Sequence, residues 1–336
     1  MKQTLRKWLL RSLAVLLAGG LLWWVLHKVP LAEIWAAIQQ LRLWQVMIIL
    51  VVNTILYILV TLRWWIIVQA EAKHVPYLPL LGVRVSVFGV SYFTLGPQVG
   101  GEPLQVLSLQ KKYGISYTRA ASSVLLDKLL EFLVNFLLLA LGLAAVFQAG
   151  LLAESRLRFS LSLILLTALI LVPPVHLLLL YRRRHPLTWL LRRLPFVPKR
   201  NRLVRFLCAA EWMAGRFCQR HTRALLGALG ASLLAGVGML IDYKVMTLFL
   251  GIHLPFWKTI AGWTAGWMAF LLPLPGGLGA LESSQVFALG MFGIPAAVAF
   301  SLVLVMRGRD LLIGGLGLAL AGHGISARKG KGSLPQ

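Results

Sequence analysis

Two long hydrophobic stretches of this chain are each broken by a cluster of proline and glycine that ends in a glutamate. The first cluster is 96–102 (GPQVGGE) and the second is 273–282 (PLPGGLGALE). Proline and glycine interrupt helices, and in hydrocarbon an interrupted helix leaves backbone groups without hydrogen bonds. Such backbone is tolerated where protein buries it or where it lines a wet cavity. Two matching interruptions in the two halves of one chain therefore indicate a polar binding site between the halves.

The composition places the chain among polytopic membrane proteins. Of its 336 residues, 59% are hydrophobic and 13% are charged, which lies outside the range of soluble globular domains. A run of roughly 20 apolar residues is long enough to cross a bilayer. Six such runs lie at about 8–26, 43–69, 120–148, 159–181, 224–250 and 296–322, and two more, at about 78–95 and 259–272, lead into the broken clusters.

The net charge of +24 reflects membrane topology better than nucleic-acid binding, because the basic residues are concentrated in three places. These are the N-terminus, the segment 182–223 with twelve Lys and Arg residues, and the C-terminus. The positive-inside rule places all three in the cytoplasm. We therefore predict a multi-pass protein of the inner membrane with both termini cytoplasmic and no nucleic-acid partner.

A shift of 179 residues brings the two halves of the sequence into register. Gly114 then falls on Gly293, Lys128 on Arg307, and Glu131 on Asp310, while span 43–69 falls on 222–248 and places Arg63 opposite Asp242. Counting spans between the basic regions makes each broken cluster a hairpin that enters and leaves on one side, from opposite faces of the membrane.

The predicted fold is consequently all-α, with about six full transmembrane helices, two broken or re-entrant hairpins and an inverted-topology internal repeat. The whole chain, 1–336, forms one membrane domain, with repeat one at about 8–148 and repeat two at about 159–322. Within the basic segment 182–223, residues 198–222 have an apolar face and an arginine-rich face, which predicts a helix lying on the inner leaflet. That helix either captures lipid headgroups or simply anchors the topology.

Ionisable residues inside the membrane segments are the main candidates for function. Six of the ten acidic residues lie in or beside spans, where an ionisable group costs roughly 2.5–3.5 kcal/mol and usually faces a cavity or a partner. The spacing also offers pairs on one helix face, Lys128 with Glu131 and Arg307 with Asp310. Two alternatives remain open: the charges only hold helices together, or Glu102 and Glu282 only complement helix dipoles.

The predicted site for substrate binding and translocation combines the broken clusters with the charged groups. Its residues are Gly100, Gly101, Glu102, Arg119, Asp127, Lys128, Glu131, Pro275, Gly276, Gly277, Gly279, Glu282, Arg307 and Asp310, with Arg63 and Asp242 as further candidates. Free helix N-termini at such breaks bind phosphate. Motifs of hydrolases, zinc proteases and nucleotide-binding loops are absent from the sequence. We therefore expect no catalytic residue, metal or cofactor.

These motifs resemble the membrane (flippase) domain family of lysylphosphatidylglycerol synthase. The resemblance spans nearly the whole chain and lies in Gly100-Gly101-Glu102, in Asp127-Lys128-x-x-Glu131 where the family typically has Glu-Arg-x-x-Asp, in Pro273-x-Pro275-Gly276-Gly277-x-Gly279-x-x-Glu282, and in Arg307. Gln105 stands where members often have an arginine. The aminoacyl-transferase domain of full-length synthases has no counterpart in this sequence, so we expect no lipid synthesis.

The resemblance implies a lipid transporter that moves a polar headgroup between leaflets. The lipid is a phospholipid, an aminoacylated lipid or a polyprenyl-phosphate lipid, and lipid-synthesis enzymes are possible partners. Two other functions stay open from the sequence. One is a membrane-embedded, glycosyltransferase-like enzyme acting on polyprenyl phosphate, and the other is a non-transporting scaffold for envelope lipid synthesis.

Overall fold

The computed structural model describes residues 41–93, 100–148, 156–194, 201–272 and 274–329. Within these ranges the chain forms eleven α-helices, one short 3₁₀ helix and no strand. The helices are α1 (Leu43–Glu71), α2 (Tyr77–Phe93), α3 (Glu102–Tyr113), α4 (Tyr117–Gln148), α5 (Arg156–Tyr181), α6 (Pro186–Arg193), α7 (Arg202–Arg220), α8 (Thr222–Phe249), α9 (Phe256–Phe270), α10 (Ala280–Gly290) and α11 (Ala296–Lys329). The all-α prediction is confirmed, and the predicted span at 8–26 lies outside the described residues.

Helix bounds repeat along the chain with the shift that aligns the two halves of the sequence. The starts of α1 and α8, of α2 and α9, and of α4 and α11 are each 179 residues apart. Gly114 and Gly293 follow α3 and α10 with φ angles of 67° and 81°. Both glycines thus occupy the left-handed conformation in which a side chain is strained. The two halves are therefore built from the same series of four helices.

Packing between the halves follows an exchange pattern. Helix α1 packs along its equivalent, α8, while α2 packs along α11 and α9 packs along α4. Swapping each helix for its equivalent leaves this set of contacts unchanged, which is the pattern that a two-fold axis between the halves produces. Among the described residues, α1 and α8 are the two helices long and apolar enough to cross a membrane. The count of six spans and the inverted orientation stay predictions.

The contact between α2 and α11 is close because three glycines meet there. A Cβ atom added at Gly89 would lie 2.6 Å from the carbonyl oxygen of Gly314, and one added at Gly317 would overlap the carbonyl oxygen of Val85. Side chains are thus excluded from this crossing, and the two backbones touch directly, as in the small-residue interfaces of membrane helices.

The described helices end before each proline–glycine cluster and resume at its end, as the sequence predicts. The first break separates α2 from α3, and Gly100 at its end has a φ angle of 132°. The second separates α9 from α10 and contains the 3₁₀ turn Pro275–Gly277, in which Gly276 and Gly277 have φ angles of 57° and 64°. Each break is followed at once by a helix with a glutamate in its first turn, Glu102 in α3 and Glu282 in α10. How deeply the two hairpins enter a membrane stays a prediction.

Helices α5, α6 and α7 connect the halves. Helix α7 begins at Arg202 behind Asn201, whose side-chain oxygen accepts a hydrogen bond of 3.0 Å from the amide of Leu203. It packs on α4 and α5, burying Ala210 and Phe217. Leu203, which shares the predicted apolar face, is 60% exposed, so only part of that face packs on the protein.

Candidate functional site

A central cavity of about 240 Å³ lies between the two halves. It is lined by residues of α1, α2, α3 and α4 from the first half and of α8, α9 and α11 from the second. Aromatic side chains, including Phe88, Trp263 and Trp267, form much of its apolar surface. Its polar lining comprises Asn53, Tyr57, Arg84, Ser91, Glu102, Gln105, Lys128, Glu131, Asn135, Asp242, Tyr243, Arg309 and Asp310.

One wall of the cavity contains a closed cluster of two arginines and two carboxylates. Arg63 Nε lies 2.6 Å from Asp127 Oδ1, and Arg63 Nη2 lies 2.9 Å from Glu131 Oε2. Arg84 Nη1 reaches Asp127 Oδ2 at 2.9 Å and Nη2 lies 3.8 Å from Glu131 Oε2. Arg63 also donates to Ser232 of α8 at 3.3 Å. Arg63 and Asp127 are almost fully buried and do not line the cavity. Their ion pairs and the hydrogen bond to Ser232 connect α1, α2, α4 and α8 beneath the cavity surface.

Lys128 connects this cluster to the first helix break. Its Nζ atom lies 3.3 Å from Glu131 Oε1, which confirms the spacing prediction for this pair, and 3.5 Å from Glu102 Oε1. The other oxygen of Glu102 accepts a hydrogen bond of 2.8 Å from the amide of Gly100. Gly101 packs against α2, where an added Cβ would lie 2.5 Å from a methyl carbon of Val87. The first glycine cluster therefore places Glu102 and Lys128 at the cavity edge.

The second half contributes a different charged group. Arg309 pairs with Asp242 of α8 and, through Nη2 at 2.8 Å, with Asp310 Oδ1. All three residues line the cavity. The cavity lining thus carries three cations, Arg84, Lys128 and Arg309, and four carboxylates, Glu102, Glu131, Asp242 and Asp310. Charges of both signs from both halves face one small space.

The three-residue spacing on one helix predicted an ion pair between Arg307 and Asp310, but this prediction is wrong. The Nε atom of Arg307 lies 2.5 Å from Glu282 Oε1, and its Nη1 atom donates to the carbonyl oxygen of Gly276 at 2.9 Å and to the hydroxyl of Tyr92 at 3.4 Å. The reason is tertiary: α10 packs on α11 and brings Glu282 to the guanidinium, while Asp310 meets the neighbouring Arg309. Arg307 therefore fastens the second helix break.

The remaining glycines of the second break shape the backbone around Arg307. A Cβ atom added at Gly276 would lie 3.2 Å from the ring of Tyr92, and one added at Gly277 would lie 2.9 Å from the ring of Phe270. Gly279 precedes α10 with a φ angle of 77°. Pro275 begins the 3₁₀ turn. None of these four residues lines the central cavity. They form the turn that separates α9 from α10.

Three polar side chains that line the cavity have buried atoms without hydrogen-bond partners. Within the described residues, both amide atoms of Gln105, which is 0% exposed, lack a partner, and so do Asn53 Oδ1 and Asp242 Oδ1. A buried amide or carboxylate without a partner costs about 1–3 kcal/mol or more. These atoms therefore favour a ligand or water that supplies both donors and acceptors inside the cavity.

About a third of the site residues predicted from the sequence lie together in the lining of the central cavity. Glu102, Lys128, Glu131, Asp242 and Asp310 line the cavity, while the other nominated residues support it or lie elsewhere. Arg119 lies apart, on a cleft beside α7. The site predicted from the sequence did not include Arg84, Arg309 or Gln105. For the two arginines, a basic residue within an apolar helix was a signal of a functional position.

The described residues contain no group of three or more histidine, cysteine, aspartate or glutamate side chains arranged to hold a metal ion. The charged groups of the cavity instead pair with one another. What this arrangement can do chemically is to bind a polar or charged group in place of water, by exchanging these ion pairs for contacts with a ligand.

Comparisons with known proteins agree with the motifs. A model of the family described as the lysylphosphatidylglycerol synthase TM region matches residues 11–317. No curated protein and no solved structure matches the chain. Because the family match extends through both helix breaks, both charged groups and the connecting helices, this chain belongs to the lysylphosphatidylglycerol synthase transmembrane family.

Proposed function

We propose that this protein is a lipid transporter that moves a polar lipid headgroup between the two leaflets while the acyl chains stay in the bilayer. The observation that carries the proposal is the central cavity, in which charged side chains from both halves face one space. A headgroup that leaves water loses its hydration, and a charged group at the bilayer centre is costly. Side chains of both signs inside the cavity replace that hydration.

The mixture of charges suits a headgroup that carries a phosphate and a donor group. Lys128 and Arg84 offer cationic contacts to a phosphate, while Asp242 and Asp310 offer contacts to an amine or hydroxyl group. Gln105 adds an amide that both donates and accepts. Phospholipids, aminoacylated phospholipids and polyprenyl-phosphate lipids all have such headgroups. The basic residues of segment 182–223 support, through the positive-inside rule, an inner-membrane protein with both termini cytoplasmic.

Leaflet exchange tests the proposal directly. The purified protein is reconstituted in liposomes containing a phospholipid with a fluorescent headgroup, and a membrane-impermeant reductant quenches the outer leaflet. We expect the wild type to accelerate exchange and Lys128→Met to slow it about tenfold, corresponding to about 1.4 kcal/mol of lost headgroup contact.

Lys111→Met is the matched control, because Lys111 is exposed on α3 and does not line the cavity. It removes the same charge and should exchange lipid at the wild-type rate. No acceleration by the wild type across several lipid classes would refute the transporter. Formation of a labelled product from nucleotide sugar by membranes containing the protein would favour the enzyme instead.

A further inference from the structure

A second polar cleft lies away from the central cavity, between the C-terminal end of α1, the start of α4 and α7. It has a volume of about 260 Å³, and three arginines line it: Arg119 from α4, and Arg216 and Arg220 from α7. Arg216 and Arg220 also line a further cavity of about 290 Å³, together with Arg183. Arginines from two helices therefore line one depression.

These three arginines have no carboxylate at ion-pair distance in the part of the chain that the structure describes. The ion pairs of the described residues include none of them. Glu71 lines the same cleft but pairs with no arginine at ion-pair distance. Arg216 stacks on the ring of Trp212 at 4.8 Å, which holds its guanidinium in place without cancelling its charge. Like charges held close together are stabilised by a bound anion.

The surroundings favour the phosphate of a lipid over a free anion. A cavity of about 350 Å³ adjoins the cleft and shares Glu71 and Arg119 with it. Its wall includes the apolar side chains of Leu109, Leu126 and Phe217. A molecule with a phosphate and an apolar part fits this pair of cavities, whereas inorganic phosphate has nothing to place in the second.

The neighbouring helices α6 and α7 carry exposed tryptophans beside arginines. Trp212 of α7 and Trp189 of α6 are 49% and 58% exposed, and each stacks with an arginine of its own helix. Tryptophan beside arginine on an amphipathic helix is typical of the membrane interface. The cleft therefore opens where the headgroups of one leaflet are expected.

We propose that the cleft formed by Arg119, Arg216 and Arg220 is a binding site for the phosphate of an anionic phospholipid, separate from the central cavity. Arginine suits this ligand because its planar guanidinium binds phosphate oxygens through two parallel hydrogen bonds. The site explains why basic residues of α7 face a depression, which anchoring at a flat membrane surface does not require.

Titration of the detergent-solubilised protein with dioctanoylphosphatidic acid, followed calorimetrically, tests this site. We expect Arg216→Gln/Arg220→Gln to weaken binding about tenfold or more, a loss of about 1.4 kcal/mol or more. Arg202→Gln/Arg205→Gln is the matched control, because both residues are exposed on α7 outside the cleft, and it should bind as the wild type does. Thermal unfolding of each variant verifies that it folds.

Two comparisons separate the possible outcomes. The same loss should appear in a Lys128→Met background, which distinguishes this site from the central cavity whether or not the protein transports lipid. Dioctanoylphosphatidylcholine should bind more weakly than the phosphatidic acid. Equal binding of inorganic phosphate would overturn the assignment to a lipid, and unchanged binding of phosphatidic acid by Arg216→Gln/Arg220→Gln would overturn the site itself.

Discussion

The two helix breaks carry the same pair of polar residues at the same spacing but use them differently. Glu102 and Gln105 follow the first break, and Glu282 and Gln285 follow the second. Gln105 lines the central cavity with both amide atoms unpaired. Gln285 is equally buried, but it accepts from the hydroxyl of Tyr243 at 2.7 Å and donates to the carbonyl oxygen of Gly262 at 2.8 Å.

The glutamates differ in position rather than in the number of partners, since both oxygens of Glu102 are paired while Glu282 Oε2 has no partner among the described residues. Glu282 is paired at 2.5 Å with Arg307 and is 2% exposed, whereas Glu102 pairs with Lys128 at 3.5 Å and lines the cavity. Lys128 and Arg307 are equivalent under the 179-residue shift. One duplicated ion pair has thus become part of the cavity in the first half and a fastening of the backbone in the second. Equivalent positions do not imply equivalent roles.

The charged clusters on α4 and α11 show a second contrast. All four carboxylate oxygens of Asp127 and Glu131 have cationic partners. In the second half, Asp242 Oδ1 has no hydrogen-bond partner in the described part of the chain. The carboxylates of the first cluster are therefore fully paired, while Asp242 has an oxygen left for a ligand.

The largest effect should come from opening the closed cluster. Asp127→Asn removes the charge that compensates two buried arginines, and breaking a buried pair in this way costs about 3–5 kcal/mol. Asp242→Asn, with one oxygen already unpaired, should lose clearly less. Unfolding of both variants in mixed detergent micelles gives the two free energies, and equal losses would remove the contrast between the clusters.

The crossing of α2 and α11 brings two backbones together at glycines, and the equivalent crossing of α4 and α9 is less close. There, Gly142 faces the side-chain hydroxyl of Thr264 instead of a backbone carbonyl. Gly89→Ala forces a methyl group against the backbone of α11 and should cost about 1–3 kcal/mol. Gly82→Ala on the same helix meets nothing within 4 Å and serves as the control. Comparable melting temperatures for the two variants would show that the helices separate easily here.

The two glutamines that follow the helix breaks, Gln105 and Gln285, should respond differently to the same substitution. Gln285→Met leaves the Tyr243 hydroxyl and the Gly262 carbonyl without partners and should destabilise the protein by about 1–3 kcal/mol. Gln105→Met removes an unpaired buried amide, so its stability should stay level or rise by about 1 kcal/mol. Unfolding experiments in lipid-free detergent measure both, and a loss on Gln105→Met that matches the loss on Gln285→Met would contradict the assignment of an open amide.

The smallest effect lies outside the two halves, at Glu211 of α7. Its oxygens accept hydrogen bonds of 2.7 and 2.6 Å from the amides of Leu187 and Thr188, and His176 lies 3.2 Å away. Burial acts to raise the pKa of Glu211, but the contacts from His176, Thr188 and Leu187 outweigh it and hold the pKa below its ordinary value.

A lowered pKa in the folded protein makes Glu211 stabilising above the ordinary glutamate pKa of about 4.3, and this contribution disappears as the pH falls through the folded value. Glu211→Gln should therefore cost about 1 kcal/mol at neutral pH, with the difference from the wild type shrinking below about pH 4. Melting curves across pH measure it. A difference that grows in acid would mean that the carboxylate is not the stabilising form.

Much of the architecture could be predicted because it depends on local patterns. Apolar runs and the 179-residue shift located the helices, and proline and glycine located both breaks. Which charges meet could not be predicted from spacing, because the partner is chosen by packing between helices. Lys128 and Glu131 pair as their spacing predicts, yet Arg307 turns to Glu282 on α10, and Asp242 meets Arg309 across 67 residues of sequence.

The nominated residues outside the cavity show the same limit. Arg119 lies on the α7 cleft because the start of α4 faces α7, a relation that no sequence motif encodes. Gln105 stood out in the sequence only as a departure from the arginine that family members often have, and its position in the cavity, with an unpaired amide, is evident only from the structure.

Headgroup cross-linking tests most directly the central claim that the cavity between the halves takes a lipid headgroup. A phospholipid with a photoreactive headgroup is reconstituted with the protein and irradiated, and the modified residues are mapped by mass spectrometry. We expect modification of cavity residues such as Gln105, Lys128 and Asp310, and loss of this modification when an unlabelled competitor lipid is added. Modification confined to the outward faces of α1 and α8, at residues such as Val51 and Leu234, would contradict it.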